Sequence, residues 1–123
     1  MANPVLFQSS VFLGLLHLLM IQKRSFLSTV YTVGVFTSIW NHGTTLWVAK
    51  WLDRGWMTVG TLADLAFVGA LPFWPRIFRY CLVANYVASF FAAKYMVRST
   101  NVPHLAAHVG ATLCHAWILL LVQ

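Results

Sequence analysis

From Ser25 to Ala49 the chain runs without a single Asp, Glu, Lys or Arg. Similar apolar runs precede and follow this stretch, broken only at short polar joints. A helix needs roughly 20 predominantly apolar residues to cross a bilayer core about 30 Å thick. Inside such a core every backbone N–H and C=O must be bonded internally, which leaves helices or a closed barrel. These runs are continuously apolar and lack the strict alternation of barrel strands. The pattern therefore predicts an all-α, polytopic membrane bundle.

Five transmembrane helices fit the runs, at about residues 4–22, 26–51, 56–73, 76–97 and 103–122. Together they fill one membrane domain, residues 1–123. Lys23 and Arg24 end the first run, and Lys50, Asp53, Arg54 and Gly55 the second. Pro72 and Pro75 close the third, and Lys94 and Arg98 flank the end of the fourth. Pro103 suits the first turn of the fifth, where a missing N–H costs nothing. The joints are only a few residues long, so sequence neighbours should pack antiparallel. The start Met-Ala-Asn-Pro has no basic region of a signal peptide. Lys23 and Arg24, rather than small cleavage-site residues, follow the first apolar run, which reads as a retained helix.

Eight Lys and Arg stand against two Asp and no Glu. In a soluble chain that excess would suggest nucleic acid. Here the cations sit singly or in pairs at helix ends, where they anchor to lipid headgroups. With the N-terminal side termed side A, Lys50, Arg54, Lys94 and Arg98 fall there. Lys23, Arg24, Arg76 and Arg79 fall on side B, so the charge bias leaves orientation open. Trp47, Trp51 and Trp56 mark the side A boundary and Trp74 side B, as an aromatic belt. Cys81 and Cys114 lie inside helices and read as small buried apolar residues, not a disulfide framework.

Small residues should let helices approach: Gly34 and Gly43, Gly60 and Gly69, and Ala106, Ala107, Gly110 and Ala111. The polar residues inside the runs carry the chemistry. His17, alone among leucines, reads as a packing residue. Asp64 needs a partner on a neighbouring helix, with Asn85 or Tyr86 within reach, and a proton relay is the other reading. Asn41 and Asn85 read as hydrogen-bonding residues too. His104, His108 and His115 share one face of the last helix. His42 and His108 each lie about four residues from their helix midpoints toward side A, roughly 6 Å from the midplane. Ser38 is one turn below His42, and Asp53 lies at the boundary. If the second and fifth helices touch, Ser38, His42, Asp53, His104 and His108 converge.

Three outcomes fit such parts. Two imidazoles, His42 and His108, can clamp a haem iron axially. Three, His42, His104 and His108, can hold zinc and leave a position for water, with Asp53 and Ser38 assisting. Or the histidines only hydrogen-bond between helices.

The segment from Ser38 through His42 to Asp53 resembles the haem-and-quinone helix of the small membrane anchor of succinate dehydrogenase. In that family a histidine at haem b is followed eleven residues later by an aspartate beside ubiquinone. His42 and Asp53 keep that spacing, and Arg54 stands where the family usually has tyrosine. The resemblance implies haem b at His42, with a second ligand from His108 or from another subunit. It also implies a quinone or lipid headgroup bordered by Ser38, Trp51, Asp53 and Arg54. A second resemblance is to the superfamily of alkaline ceramidases and progestin/adiponectin-type receptors. Its pattern of Ser-x3-His, Asp and His-x3-His is matched in order by Ser38, His42, Asp53, His104 and His108. It implies a zinc-dependent lipid amide hydrolase, in a family with seven helices rather than five.

The expectation is a small integral subunit of a respiratory-type multisubunit complex, without activity alone. It would be an anchor contributing to a haem or quinone site, or a purely structural accessory subunit. The membrane would be the mitochondrial inner or the bacterial plasma membrane, and the partners other membrane subunits and lipid. The zinc hydrolase is the alternative. A free-standing carrier or channel ranks last, because no broken helix or inverted repeat is visible.

Overall fold

Asn3 and Ser25 begin the first two helices. The Asn3 side chain accepts the Leu6 N–H at 3.1 Å, with Pro4 in the first turn. Ser25 and Ser28 form a reciprocal capping box, each hydroxyl accepting the other's backbone N–H. A computed structural model describes residues 3–71, 74–96 and 100–121. Among these residues the chain is all-helical: α1 Pro4–Met20, α2 Phe26–Gly43, α3 Trp47–Val68, α4 Arg76–Phe91 and α5 Val102–Leu121. A π-helical segment, Ala92–Met96, follows α4 directly.

The largest departure from the sequence expectation lies at residues 44–46. One helix was expected over 26–51 and the next from 56. Instead α2 stops at Gly43, and α3 starts at Trp47. Thr44 is extended at the break. Its hydroxyl donates to the Trp40 carbonyl at 3.0 Å and accepts the Leu46 N–H at 3.4 Å. One side chain thus satisfies orphan groups of two helix ends, and Gly43 with two β-branched threonines lowers the cost of leaving the helix. Lys50, Trp51, Asp53, Arg54 and Gly55, expected in or beside a joint, therefore lie within α3.

At its other end α3 stops at Val68, short of the expected 73, and residues 72–73 lie outside the described residues. Turn bonds from Ala70 and Leu71 close it. The Arg79 guanidinium donates to the Gly69 carbonyl at 2.7 Å and also to that of Leu71, a cation at a helix C-terminus. The ends expected at 97 and 122, and Arg98, lie outside the described residues.

The chain divides into two compact units, Met1–Ala63 and Asp64–Gln123, with the boundary inside α3. In the first unit α1 packs on α2. Gly14 permits this approach: a Cβ there would meet Val35 Cγ1 at 2.6 Å. The Trp56 indole of α3 crosses α2, donating to the Val30 carbonyl at 2.6 Å, and its ring edge lies over Gly34. Leu27, Val30, Tyr31 and Val35 are buried here.

In the second unit α4 packs on α5. Trp74 meets Trp117, Tyr86 meets His115, and Phe90 meets His104. Positions rise along one helix as they fall along the other, so the pair is antiparallel, as the short joint requires. Gly110 supplies the close approach, since a Cβ there would lie 3.0 Å from Tyr86 Cβ. Cys114, Ile118 and Leu119 are fully buried. α5 is long and apolar enough to cross a membrane, and α1 is a shorter apolar helix.

Candidate functional site

Among the described residues of the second unit, the most buried polar side chain is that of Asp64, 1% exposed. Two side chains converge on its Oδ2. Nε2 of His115 on α5 lies 2.7 Å away, and the Tyr86 hydroxyl of α4 donates to the same oxygen. The Tyr86 and His115 rings meet edge to face at 6.4 Å. Gly110 brings the Tyr86 backbone close to α5, and His115 then reaches the same carboxylate. Burying a carboxylate costs several kcal/mol unless it is hydrogen-bonded or paired, and Tyr86 and His115 supply hydrogen-bonding partners here.

The sequence names Tyr86 as a partner of Asp64, together with Asn85. It misses His115, placed only on a shared face with His104 and His108. The available signal was the pairing requirement itself. Asp64 is the single acid in residues 64–123, and His115 is a base two helices further along the chain.

Nearer the start of α5, His104 and His108 stand one turn apart, their ring centroids 4.7 Å from each other. The Phe90 ring borders His104. Two imidazoles at this helical spacing can share one small cation, as in helical zinc motifs, and supply two of its four donors.

Ser38, His42, Trp51, Asp53 and Arg54 lie in the first unit. Asp53 is 3% exposed. It accepts the Asn41 Nδ2–H at 2.7 Å and, at 3.5 Å, the Thr37 hydroxyl. The carboxyl sits in the second turn of α3, before the apolar stretch that begins at Trp56. Burial pushes it up to about 6, against the opposing pull of Asn41, Thr37 and the Arg54 charge. The Arg54 guanidinium stacks over the exposed Trp51 ring at 5.1 Å, a cation–π contact. The Ser38 hydroxyl shares a hydrogen bond with Ser10 of α1 at 3.2 Å.

His42 occupies the last turn of α2 and is 6% exposed. Its neighbour Gly43 faces Phe7 of α1, whose ring would lie 3.0 Å from a Cβ there. His17 bonds through Nδ1 to the Leu13 carbonyl at 2.7 Å and meets Tyr31 edge on, the packing role its sequence context suggests.

No known protein family, curated protein or solved structure matches this chain.

Proposed function

We propose that this chain is a small polytopic membrane protein that serves as an accessory subunit of a larger membrane complex, of the respiratory type, without catalysis of its own. One observation carries the reading: the exposed surface is rich in large apolar side chains. Large apolar side chains such as Leu19 and Ile77 stand about four-fifths exposed, on α1 and α4, while both acids are buried and paired. Water would penalise that surface at about 25 cal/mol for each Å². Lipid tails or neighbouring membrane helices cover it without that penalty. The candidate spans are α1, α2, the apolar part of α3, α4 and α5.

Two of the parts expected to do chemistry in a hydrolase, Ser38 and Asp53, are engaged in packing. Ser38 bonds Ser10, and Asp53 bonds Asn41 and Thr37. This favours the subunit reading over a lipid amide hydrolase. A bound metal ion is a second reading, favoured by the His104–His108 pair.

The test is extraction and native size. The protein should stay with membranes in alkaline carbonate and leave them only in detergent. In mild detergent it should migrate with partner chains as a larger assembly. Release by carbonate alone rules out membrane integration, and migration as a lone chain rules out the accessory-subunit role.

A further inference from the structure

The two buried acids have chemically different partners. Asp53 is held by an amide and a hydroxyl, Asn41 and Thr37. These neutral donors satisfy a carboxylate without giving up a proton near neutral pH. Asp64 is held by an imidazole and a phenol, both of which are acids and bases. A carboxylate needing only structural satisfaction is served by partners of the first kind. Intramembrane Asp and His that meet each other mark proton pathways.

We propose that Asp64 and His115 form a proton-transfer site within the second unit, with Tyr86 positioning the carboxylate. This rests on the membrane reading above. In the transfer the Nε2–H bond of an imidazolium breaks and its electron pair stays on Nε2. An O–H bond forms at Oδ2 of Asp64, so imidazolium and carboxylate become imidazole and carboxylic acid. The pair is neutral before and after, so the step creates no net charge in apolar surroundings, where an isolated charge is costly. The Nε2–Oδ2 distance of 2.7 Å is that of a charge-assisted hydrogen bond. Tyr86 keeps its proton and fixes the oxygen that receives the transferred one. His115 is 14% exposed by its side chain against 1% for Asp64, so the imidazole is the member of the pair that a further proton donor or acceptor can reach.

Other polar groups of the second unit lie on the same helices. On α4, Asn85 adjoins Tyr86 and approaches Gly110. On α5 the buried Cys114 precedes His115 in sequence. The Arg79 guanidinium is committed to the Gly69 and Leu71 carbonyls.

The experiment is proton flux into lipid vesicles carrying the full chain and an internal pH dye, with the potential set by potassium and valinomycin. Wild-type vesicles should collapse an imposed gradient faster than protein-free vesicles. Asp64→Asn and His115→Gln should fall to the protein-free rate, and Tyr86→Phe should lie between. His17→Gln, in the first unit, should match wild type. Helical content by circular dichroism, with flotation of each variant, separates loss of transfer from loss of fold. Infrared spectra in detergent add a readout independent of transport: a protonated-carboxyl band that shifts in D2O and vanishes in Asp64→Asn. Wild-type protein that floats with the vesicles yet moves protons no faster than lipid alone overturns the proposal. So do Asp64→Asn and His115→Gln variants as fast as wild type. A chain that fails to float overturns the membrane reading, and the transfer site with it.

Discussion

Nε2 of His115 lies 2.7 Å from Oδ2 of Asp64, although 51 residues separate the two in the chain. Asp64→Ala would leave the Tyr86 hydroxyl and His115 without this shared acceptor in an apolar interior. The expected loss is about 3 kcal/mol, by analogy with breaking a buried pair through removal of one partner. Asp64→Asn keeps the shape and an acceptor oxygen and should cost clearly less. Unfolding in detergent, followed by circular dichroism, measures both. Equal stability of Asp64→Ala and wild type would remove the carboxylate from any structural role.

Asp53 makes a pH prediction of definite sign. Its carboxyl is raised from the ordinary 3.8 to about 6, so between those values the native state binds more protons than the unfolded state. Stability therefore falls as pH rises from about 4 through 6, and above that the penalty is complete. At neutral pH it amounts to about 3 kcal/mol at most. Asp53→Asn should raise stability at pH 7.5 and flatten the profile over that window. A wild-type profile that climbs with pH there contradicts the burial argument.

The α1–α2 contact can be probed with a pair. Gly14→Ala drives a methyl into Val35 and should cost about 1–3 kcal/mol, the usual range for overpacking. Val35→Ala opens a small cavity and also destabilises. Combined, the two changes should recover part of the loss, because the second makes room for the first. Strict additivity in the double-mutant cycle would mean that the helices do not meet at this point.

Metal and haem are decided separately. A metal ion on the His104–His108 pair requires that His104→Ala and His108→Ala lower metal content to the same degree. Equal metal in wild type and both variants excludes it. Haem ligation by His42 requires that His42→Ala lose a reducible Soret band while keeping its helical content. An unchanged visible spectrum in His42→Ala excludes that ligation.

Helix content was legible along the chain because apolar runs, prolines and capping residues are local signals. Pro4 with Asn3, and Ser25 with Ser28, act within a single turn. The break at 44–46 was not legible. Nothing apolar or charged changes there, and the Thr44 hydroxyl that closes α2 and leads into α3 is decisive only once both helix ends are in place. Asp53 was consequently assigned to a joint beside His42, whereas it lies one turn into α3 and bonds Asn41. Gly14 was passed over for glycines with more suggestive neighbours. Gly60, singled out from sequence, has no neighbouring helix within 4 Å of its Cβ position among the described residues.

By itself, the sequence determined that this chain is helical, that its surface is apolar, and that each of its two acids must find a partner. Those properties follow from composition and from hydrophobic runs, which act on every residue through its own solvation. Tertiary structure alone decided which partners the acids find: amide and hydroxyl for Asp53, imidazole and phenol for Asp64. That choice depends on how helices approach at Gly14 and Gly110 and where α2 gives way to α3. A shift of one turn carries a side chain about 5.4 Å along the helix axis, more than the length of any hydrogen bond.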